Sequence, residues 1–224
     1  MQRRPITRWF VWLVTLGFTI GGCNSGAMKR SPDNPLSASG LTPSAQDHDS
    51  GLVAVAPGFR VTNYRAIVVE AFDVTDTAIK DEDDRRLAEN LSHHFQVRLV
   101  GQLRSSGLFR AVHEAGETRS AIEGPALRLR GVITRLGRGA QAARAFFGQY
   151  GAGAARAQAD MHLVDAASNE VVVVISDRPE SSYNPNRQGA TPEYALMDCF
   201  NHIARDLGRF LVRLSKDQAR AGVR

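Results

Sequence analysis

Cysteine is scarce in this sequence, and so are the residue patterns on which most catalytic and metal sites are built. Only Cys23 and Cys199 occur in 224 residues, which excludes a fold held together by several disulfides. None of the six histidines has the spacing of a known metal motif, and no GxSxG nucleophile motif is present. The sequence therefore predicts no metal and no cofactor, and we expect a protein that is not an enzyme.

A long apolar run is missing as well. The uncharged stretch at residues 9–20 has twelve residues, whereas a membrane-spanning helix needs about 20. Arg3, Arg4 and Arg8 precede this stretch, and Gly21 and Gly22 follow it. Positive charges, a short apolar core and small residues in this order are typical of an export signal peptide, which we place at residues 1–22.

The end of this segment reads Ile20, Gly21, Gly22 and Cys23, which resembles the lipobox of bacterial lipoproteins. The resemblance implies cleavage between Gly22 and Cys23, with a diacylglycerol on the Cys23 thiol and a further acyl chain, such as palmitate, on the new amine. The alternatives are an uncleaved anchor or an ordinary signal peptide followed by a chance cysteine.

Several acyl chains, at about 0.8 kcal/mol for each buried CH₂, attach a protein lastingly to a membrane. Asn24, where an aspartate would retain such lipoproteins at the inner membrane, resembles the residue that permits transfer to the outer membrane. We therefore expect an extracytoplasmic protein anchored to a membrane, and in a double-membraned host an outer-membrane protein that faces the periplasm.

The charge balance argues against nucleic acid as a partner. The whole chain has 28 basic and 23 acidic residues, but the predicted signal peptide contributes three of the arginines and no acid. The mature chain keeps an excess of only +2, so the basic residues favour at most a local contact with anionic lipid or glycan.

Composition divides the mature chain into three parts. Residues 23–58 are rich in Ser, Pro, Gly, Ala and Asp, which predicts a flexible tether with room for a short strand at residues 52–55. Residues 59–216 have the size of one folded domain. Residues 217–224 are predicted to fray.

Hydrophobic periodicity predicts an α+β domain. Leucines and a phenylalanine recur every four residues from Leu87 to Leu103 and indicate a helix that ends at Gly107. Thr191 and Pro192 are typical of the start of a second helix, which runs to about Leu214. Strands are predicted at residues 66–72, 108–113 and 127–134, and an antiparallel hairpin at residues 155–163 and 170–176. We expect a mixed or antiparallel sheet of four to five strands packed against two helices.

Cys199 lies among apolar residues at helical spacing, which predicts a buried thiol. Residues 137–153 form the most unusual stretch, because glycines alternate with arginines and aromatics there. The glycine order fits neither the Rossmann nor the P-loop fingerprint, so a bent connection or a loop for partner contact is the better interpretation. Its candidates for contact with a partner or an anion are Arg138, Arg144, Phe146, Phe147 and Tyr150.

The predicted domain resembles a family of bacterial lipoproteins, which is defined by the domain of unknown function DUF4410. The resemblance covers most of residues 60–215. It is carried by Gly107-Leu108-Phe109 after the first helix, Gly131-Val132-Ile133-Thr134 at a strand end, the glycines of the following connection, and Val164-Asp165 before a turn. The family usually has a glycine where Asn169 stands, and asparagine can adopt the same left-handed backbone. The resemblance implies an envelope lipoprotein and no assigned activity.

Three hypotheses for function remain open. The first is a noncatalytic binding or assembly component of the cell envelope, whose partner is an envelope protein or an anionic envelope polymer. The second is a tethered hydrolase that uses Asp160, His162 or the loop at residues 137–153. The third is a carrier of a small ligand or lipid, which would need an apolar cavity between sheet and helices.

Overall fold

A computed structural model describes residues 32–76, 79, 81–117, 124–137, 155–181 and 191–222. Within these ranges the chain forms two helices and one sheet of eight strands. The helices are α1 (Glu82–Ser106) and α2 (Pro192–Ala221). The strands are β1 (Ala45–Gln46), β2 (Leu52–Val55), β3 (Ala66–Val69), β4 (Asp73–Val74), β5 (Ala111–Glu114), β6 (Ala126–Gly137), β7 (Arg156–Asp165) and β8 (Val171–Asp177).

The sheet is mixed, which confirms the predicted fold class. Its strand order is β1-β2-β8-β7-β6-β3-β5, and β4 pairs with β6 beside this path. Strand β3 is parallel to both β5 and β6, whereas β6, β7, β8 and β2 form antiparallel pairs. The prediction of four to five strands was too low because β1 and β4 have two residues each, too few to show a hydrophobic period.

The predicted hairpin is present as β7 and β8, and its turn is built by two of the expected residues. The Asp165 carboxylate accepts hydrogen bonds from the backbone N–H groups of Ala167 and Ser168 and from the Tyr64 hydroxyl. Asn169 has a φ of 61°. Asparagine thus takes the left-handed conformation that glycine takes elsewhere in such turns.

Both helices begin, and α1 ends, as their terminal residues predict. The Asp81 carboxylate accepts a hydrogen bond from the backbone N–H of Asp84 at the start of α1, and Gly107 closes that helix at a φ of 67°. The Thr191 hydroxyl accepts from the N–H of Tyr194, and Pro192 fills the first turn of α2.

The helices lie side by side on one face of the sheet and run in the same direction. His94 Nε2 is 3.1 Å from Asn201 Oδ1, and farther along both helices Gly208 lies against Gln102. Between helices and sheet, the Phe95 ring centroid is 4.8 Å from that of Phe72 and 4.9 Å from that of Phe200. Three phenylalanine rings are thus in contact within an otherwise mainly aliphatic layer.

Cys199 is fully buried in the same layer, as predicted. Burial raises the pKa of its thiol to about 12. Its Sγ is 3.5 Å from the Ala155 carbonyl oxygen, to which the thiol donates. This cysteine is a packing residue.

Gly131 occupies a place where no side chain fits. A Cβ atom there would be 2.2 Å from the Asp160 carbonyl oxygen and 2.8 Å from Phe72 Cε1. The glycine of the Gly131-Val132-Ile133-Thr134 stretch therefore lets β6 approach β7 and Phe72 closely.

The ends of the domain differ from the predicted boundaries. Residues 45–55, placed in the tether, form β1 and β2 at the edge of the sheet, and a strand does lie at residues 52–55. Residues 217–221, placed in the frayed tail, continue α2. The Gln218 side chain accepts a hydrogen bond from the Val61 N–H and donates to the Phe59 carbonyl. Hydrogen bonds and ion pairs of polar side chains attach both ends of the domain. For this reason the boundaries of the domain could not be predicted from its apolar composition.

Candidate binding surface

The sheet face opposite the helices is covered by the N-terminal segment, residues 33–41. Gln158 and Asp160, which alternation places on the solvent face of β7, are each only 1% exposed. The Asp33 N–H donates to Gln158 Oε1, and Gln158 Nε2 donates to the Asp33 carbonyl, both at 2.8 Å. Ala38 and Leu41 of the same segment pack against a small apolar cluster of Val164, Val171 and Val174.

The Asp160 carboxylate is held by three donors. Its Oδ1 accepts from the Leu36 N–H at 3.2 Å, and its Oδ2 accepts from the Thr134 hydroxyl at 2.8 Å and from Gln158 Nε2 at 3.2 Å. Nearby, the Asp33 carboxylate forms ion pairs with Arg135 and Arg178. This polar network fastens the N-terminal segment to the sheet.

His162 lies two residues from Asp160 on the same strand. Burial lowers the pKa of the His162 imidazole, and the Arg130 charge lowers it further, against a smaller opposing effect of Asp160. The histidine is therefore neutral at neutral pH, and its neighbouring carboxylate is already saturated with donors. The pair is placed as the hydrolase hypothesis requires, but neither cleft described below is lined by either residue.

A basic groove runs between the C-terminal halves of the two helices. It has a volume of about 590 Å³. Helix α1 contributes Gln102, Ser105 and Ser106, and α2 contributes five cationic side chains with Val212, Gly208 and Asp217 between them. The cations are Arg205, Arg209, Arg213, Lys216 and Arg220.

The spacing of these cations puts them on one side of α2. They are separated by four, four, three and four residues, which is the spacing of neighbours on a helix surface. At a rise of about 1.5 Å per residue they extend over about 22 Å. Arg209 and Arg220 have 60% and 81% of their side-chain surface exposed, so both are accessible to a ligand.

Arg213 is fixed in the middle of the groove by the connection between β1 and β2. Its Nη2 lies 2.5 Å from Asp47 Oδ2, and its Nη1 pairs with Asp49. Burial raises the pKa of Asp49, but the hydrogen bonds and charges of Arg213 and His48 outweigh this effect and hold it below its ordinary value. The guanidinium thus ties this edge of the sheet to α2.

Buried Asp206 steadies the first two cations of the groove. Its Oδ1 lies 3.4 Å from Arg205 Nε and 3.9 Å from Arg209 Nη1. The carboxylate is completely buried, whereas the guanidinium of Arg209 reaches solvent. Asp206 therefore orients the two arginines along the groove without occupying it.

A second cleft of about 760 Å³ lies between β4 and the N-terminal half of α1. Its polar groups largely bond to the protein itself: the Ser92 hydroxyl and the Gln96 amide donate to the Phe72 and Val69 carbonyls. Across the described residues, no group of three His, Cys, Asp or Glu side chains is placed to hold a metal ion. Nor does either described helix have the length and apolar character needed to cross a membrane.

The model of the domain of unknown function DUF4410 matches residues 67–182, just over half of the chain. The chain belongs to the DUF4410 family. The resemblance to this family that the sequence motifs indicated is thereby confirmed. The matched region runs from β3 through β8. No curated protein matches the sequence of this DUF4410 chain.

Three solved structures share features of this fold at low similarity. A PelC dodecamer from Paraburkholderia phytofirmans is 12% identical, with 70% of this chain and 94% of that chain covered and a TM-score of 0.41. A Xanthomonas campestris protein is 12% identical, with coverages of 74% and 94% and a TM-score of 0.39. A candidate lipoprotein from Caulobacter crescentus is 15% identical, with coverages of 71% and 92% and a TM-score of 0.32. Similarities of this size transfer no function to the DUF4410 chain.

Most site residues predicted from the sequence lie outside the described residues. These are Gly22 and Cys23 at the lipobox, and Arg138, Arg144, Phe146, Phe147 and Tyr150 in the glycine-rich connection. They remain predictions for this DUF4410 protein.

The basic groove was not predicted from the sequence. A signal for it existed, because Arg205, Arg209 and Arg213 follow one another at intervals of four residues within an amphipathic helix. The small net charge of the mature chain hid this local concentration, and residues beyond 216 were assigned to a frayed tail. Only the packing of α1 beside α2 turns the stripe of cations into a groove.

Proposed function

We propose that this DUF4410 protein is a bacterial lipoprotein, anchored by acyl chains on Cys23, that acts outside the cytoplasm as a noncatalytic binding or assembly component of the cell envelope. The observation that carries the binding role is the row of cations along α2, with Arg209 and Arg220 exposed, whereas the docking of Asp33 on Gln158 bears on the anchor. Cys23 precedes the first described residue, Pro32, by only nine residues. A chain of that length spans at most about 30 Å, so the lipid anchor would hold the domain close to the membrane.

A binding role agrees with the chemistry of the described surface. The Asp160 carboxylate, the strongest candidate for a catalytic base, is engaged by three donors, and the neighbouring His162 is half-buried. The layer between sheet and helices, where a carrier would need a cavity, is packed with buried apolar side chains, among them Phe72, Phe95 and Phe200. The basic groove instead offers exposed cations to a partner, either an envelope protein or an anionic envelope polymer.

The anchor is tested by expressing the wild-type protein and a Cys23→Ser variant in a bacterial host with a clickable palmitate analogue. Wild type should incorporate the label, appear in the membrane fraction, and yield an N-terminal peptide that begins at acylated Cys23. The variant should lose the label and leave the membrane. An unacylated Cys23, or cleavage at another residue, would overturn the proposed anchor.

The partner is tested by crosslinking in the native host, followed by mass spectrometry of proteins and glycans that copurify with wild type and with Cys23→Ser. A specific envelope partner that is lost in the variant is the expected result. Recovery of the protein without a partner in either form would contradict the assembly role, and activity screens would then take priority.

A further inference from the structure

We propose that the basic groove between α1 and α2 binds a linear anionic glycan of the cell envelope, whose carboxylate or phosphate groups contact Arg205, Arg209, Lys216 and Arg220. This inference rests on the proposed envelope location. It goes beyond that proposal by assigning the binding site and the chemical class of the ligand.

The cations form a line, which fits an extended polymer better than a single small anion. Successive charges on α2 are three or four residues apart, or about 4.5–6 Å along the helix axis. A chain of charged sugars also presents its anions at short, regular intervals. One glycan strand lying along α2 can therefore contact several cations at once, so that individually weak contacts add up.

The groove lacks the aromatic side chains that are enriched at the centres of protein interfaces. Val212 is its one large apolar residue among those that line it, and it contains no aromatic side chain. The centres of protein–protein interfaces are enriched in aromatic and apolar residues. The Ser105 and Ser106 hydroxyls donate to carbonyls of their own helix, so the arginines and Lys216 supply most of the hydrogen-bond donors. Guanidinium groups bind carboxylate or phosphate with paired N–H donors.

Carboxylates of the chain hold three of the five cations in place. Asp47 and Asp49 fix Arg213 from the side of the sheet edge, and buried Asp206 orients Arg205 and Arg209. Side chains that are already ordered lose less entropy when a ligand binds. Exposed Arg209 and Lys216 are left pointing outward on either side of the fixed Arg213.

The N-terminal segment and the groove lie on opposite sides of the sheet. The N-terminal segment lies on the sheet face formed by Gln158 and Asp160, whereas the helices cover the opposite face through Ala157, Ala159 and Met161. The groove lies on the outer side of that helix layer. The segment that follows the predicted anchor therefore joins the domain on the face opposite the groove, which leaves the groove accessible to a glycan.

The test measures binding to the full-length lipidated protein in neutral detergent. The probes are oligogalacturonate and a phosphorylated glycan, with dextran as the neutral control. Poly-glutamate represents an acidic polypeptide, and glycerophosphoglycerol, the soluble headgroup of phosphatidylglycerol, represents a lipid headgroup without inserting acyl chains. Wild type should bind at least one of the two anionic glycans more tightly than the other probes, with an affinity that falls steeply with salt.

The deciding variant is Arg209→Gln/Lys216→Gln, and its matched control is Arg85→Gln/Arg86→Gln, which removes two exposed arginines from the other end of the helix layer. The groove variant should weaken glycan binding about tenfold and reduce the salt dependence, since two of the cations that contact the anions are gone. The control should stay within about twofold of wild type.

Equal weakening by both variants, no binding of either anionic glycan, or tighter binding to glycerophosphoglycerol or poly-glutamate would each overturn the glycan proposal. The purified protein is assayed irrespective of where the cell places it. Failure here thus leaves the anchor proposal standing, and that proposal is decided separately by the palmitate experiment.

Discussion

The main chain of Asp33 and the side-chain amide of Gln158 hydrogen-bond each other twice, although 125 positions separate the two residues. The pair joins the segment that follows the predicted lipid anchor to the central strands of the sheet. It also converts the outward face of β7 from a solvated surface into a buried polar layer. The contact therefore places the segment around Asp33 on the sheet, as part of the folded domain.

Replacement of Gln158 by leucine should loosen the N-terminal segment. The variant loses both bonds to Asp33 and one donor to the buried Asp160 carboxylate, so we expect the free energy of unfolding to fall by about 1–3 kcal/mol. Urea denaturation measures this change, and limited proteolysis should show faster cleavage within residues 33–41. Exposed Asn90→Ala serves as the control, with an expected change within about 0.5 kcal/mol. Unchanged stability and proteolysis in Gln158→Leu would refute this role.

A methyl group at position 131 should be far more damaging than one at position 101. Gly131→Ala would force β6 away from β7 and Phe72, and we expect a loss of at least about 3 kcal/mol in the free energy of unfolding. Nothing lies within 4 Å of a Cβ at Gly101 in α1, so Gly101→Ala should stabilise the protein by about 0.5–1 kcal/mol. Chemical denaturation of the two variants beside wild type is the measurement, and a stable Gly131→Ala protein would contradict the close approach.

The ion pair between Arg213 and Asp49 should make stability depend on pH in the acid range. Because the folded-state pKa of Asp49 is held below its ordinary value of 3.8, its contribution is complete above that value and is lost as pH falls through the lowered pKa. Arg213→Met should cost about 1 kcal/mol at pH 7, and this cost should shrink below pH 3.8. Exposed Arg220→Met is the comparison. A cost for Arg213→Met that is independent of pH down to the acid-unfolding range would rule out the coupling.

Cys199 should resist thiol reagents as long as the protein is folded. Burial raises the pKa of its thiol to about 12, so almost no thiolate is present at pH 8 and no reagent reaches the sulfur. In a Cys23→Ser background, labelling by a maleimide should occur only at the rate of unfolding and should accelerate through the urea transition. Rapid stoichiometric labelling in buffer would show that the helix layer is open at this point.

The sequence by itself determined the local features of this protein. Caps at Asp81 and Thr191, the left-handed Gly107 and Asn169, and the alternation of β7 and β8 are each decided by a few neighbouring residues. Such signals are readable because backbone geometry and hydrophobic period act over short distances. The family could be recognised from the same local motifs.

Tertiary structure decided the extent of the domain and the surface proposed to bind. The Gln158 side chain hydrogen-bonds the backbone of Asp33, and the Gln218 side chain hydrogen-bonds the backbone of Phe59 and Val61. Distant partners of this kind order polar segments whose apolar content is too low to predict folding. The groove likewise requires α1 to lie beside α2, with Arg213 fixed by Asp47 and Asp49. Contacts between residues more than a hundred positions apart leave no period in the sequence, and for that reason only the folded chain reveals them.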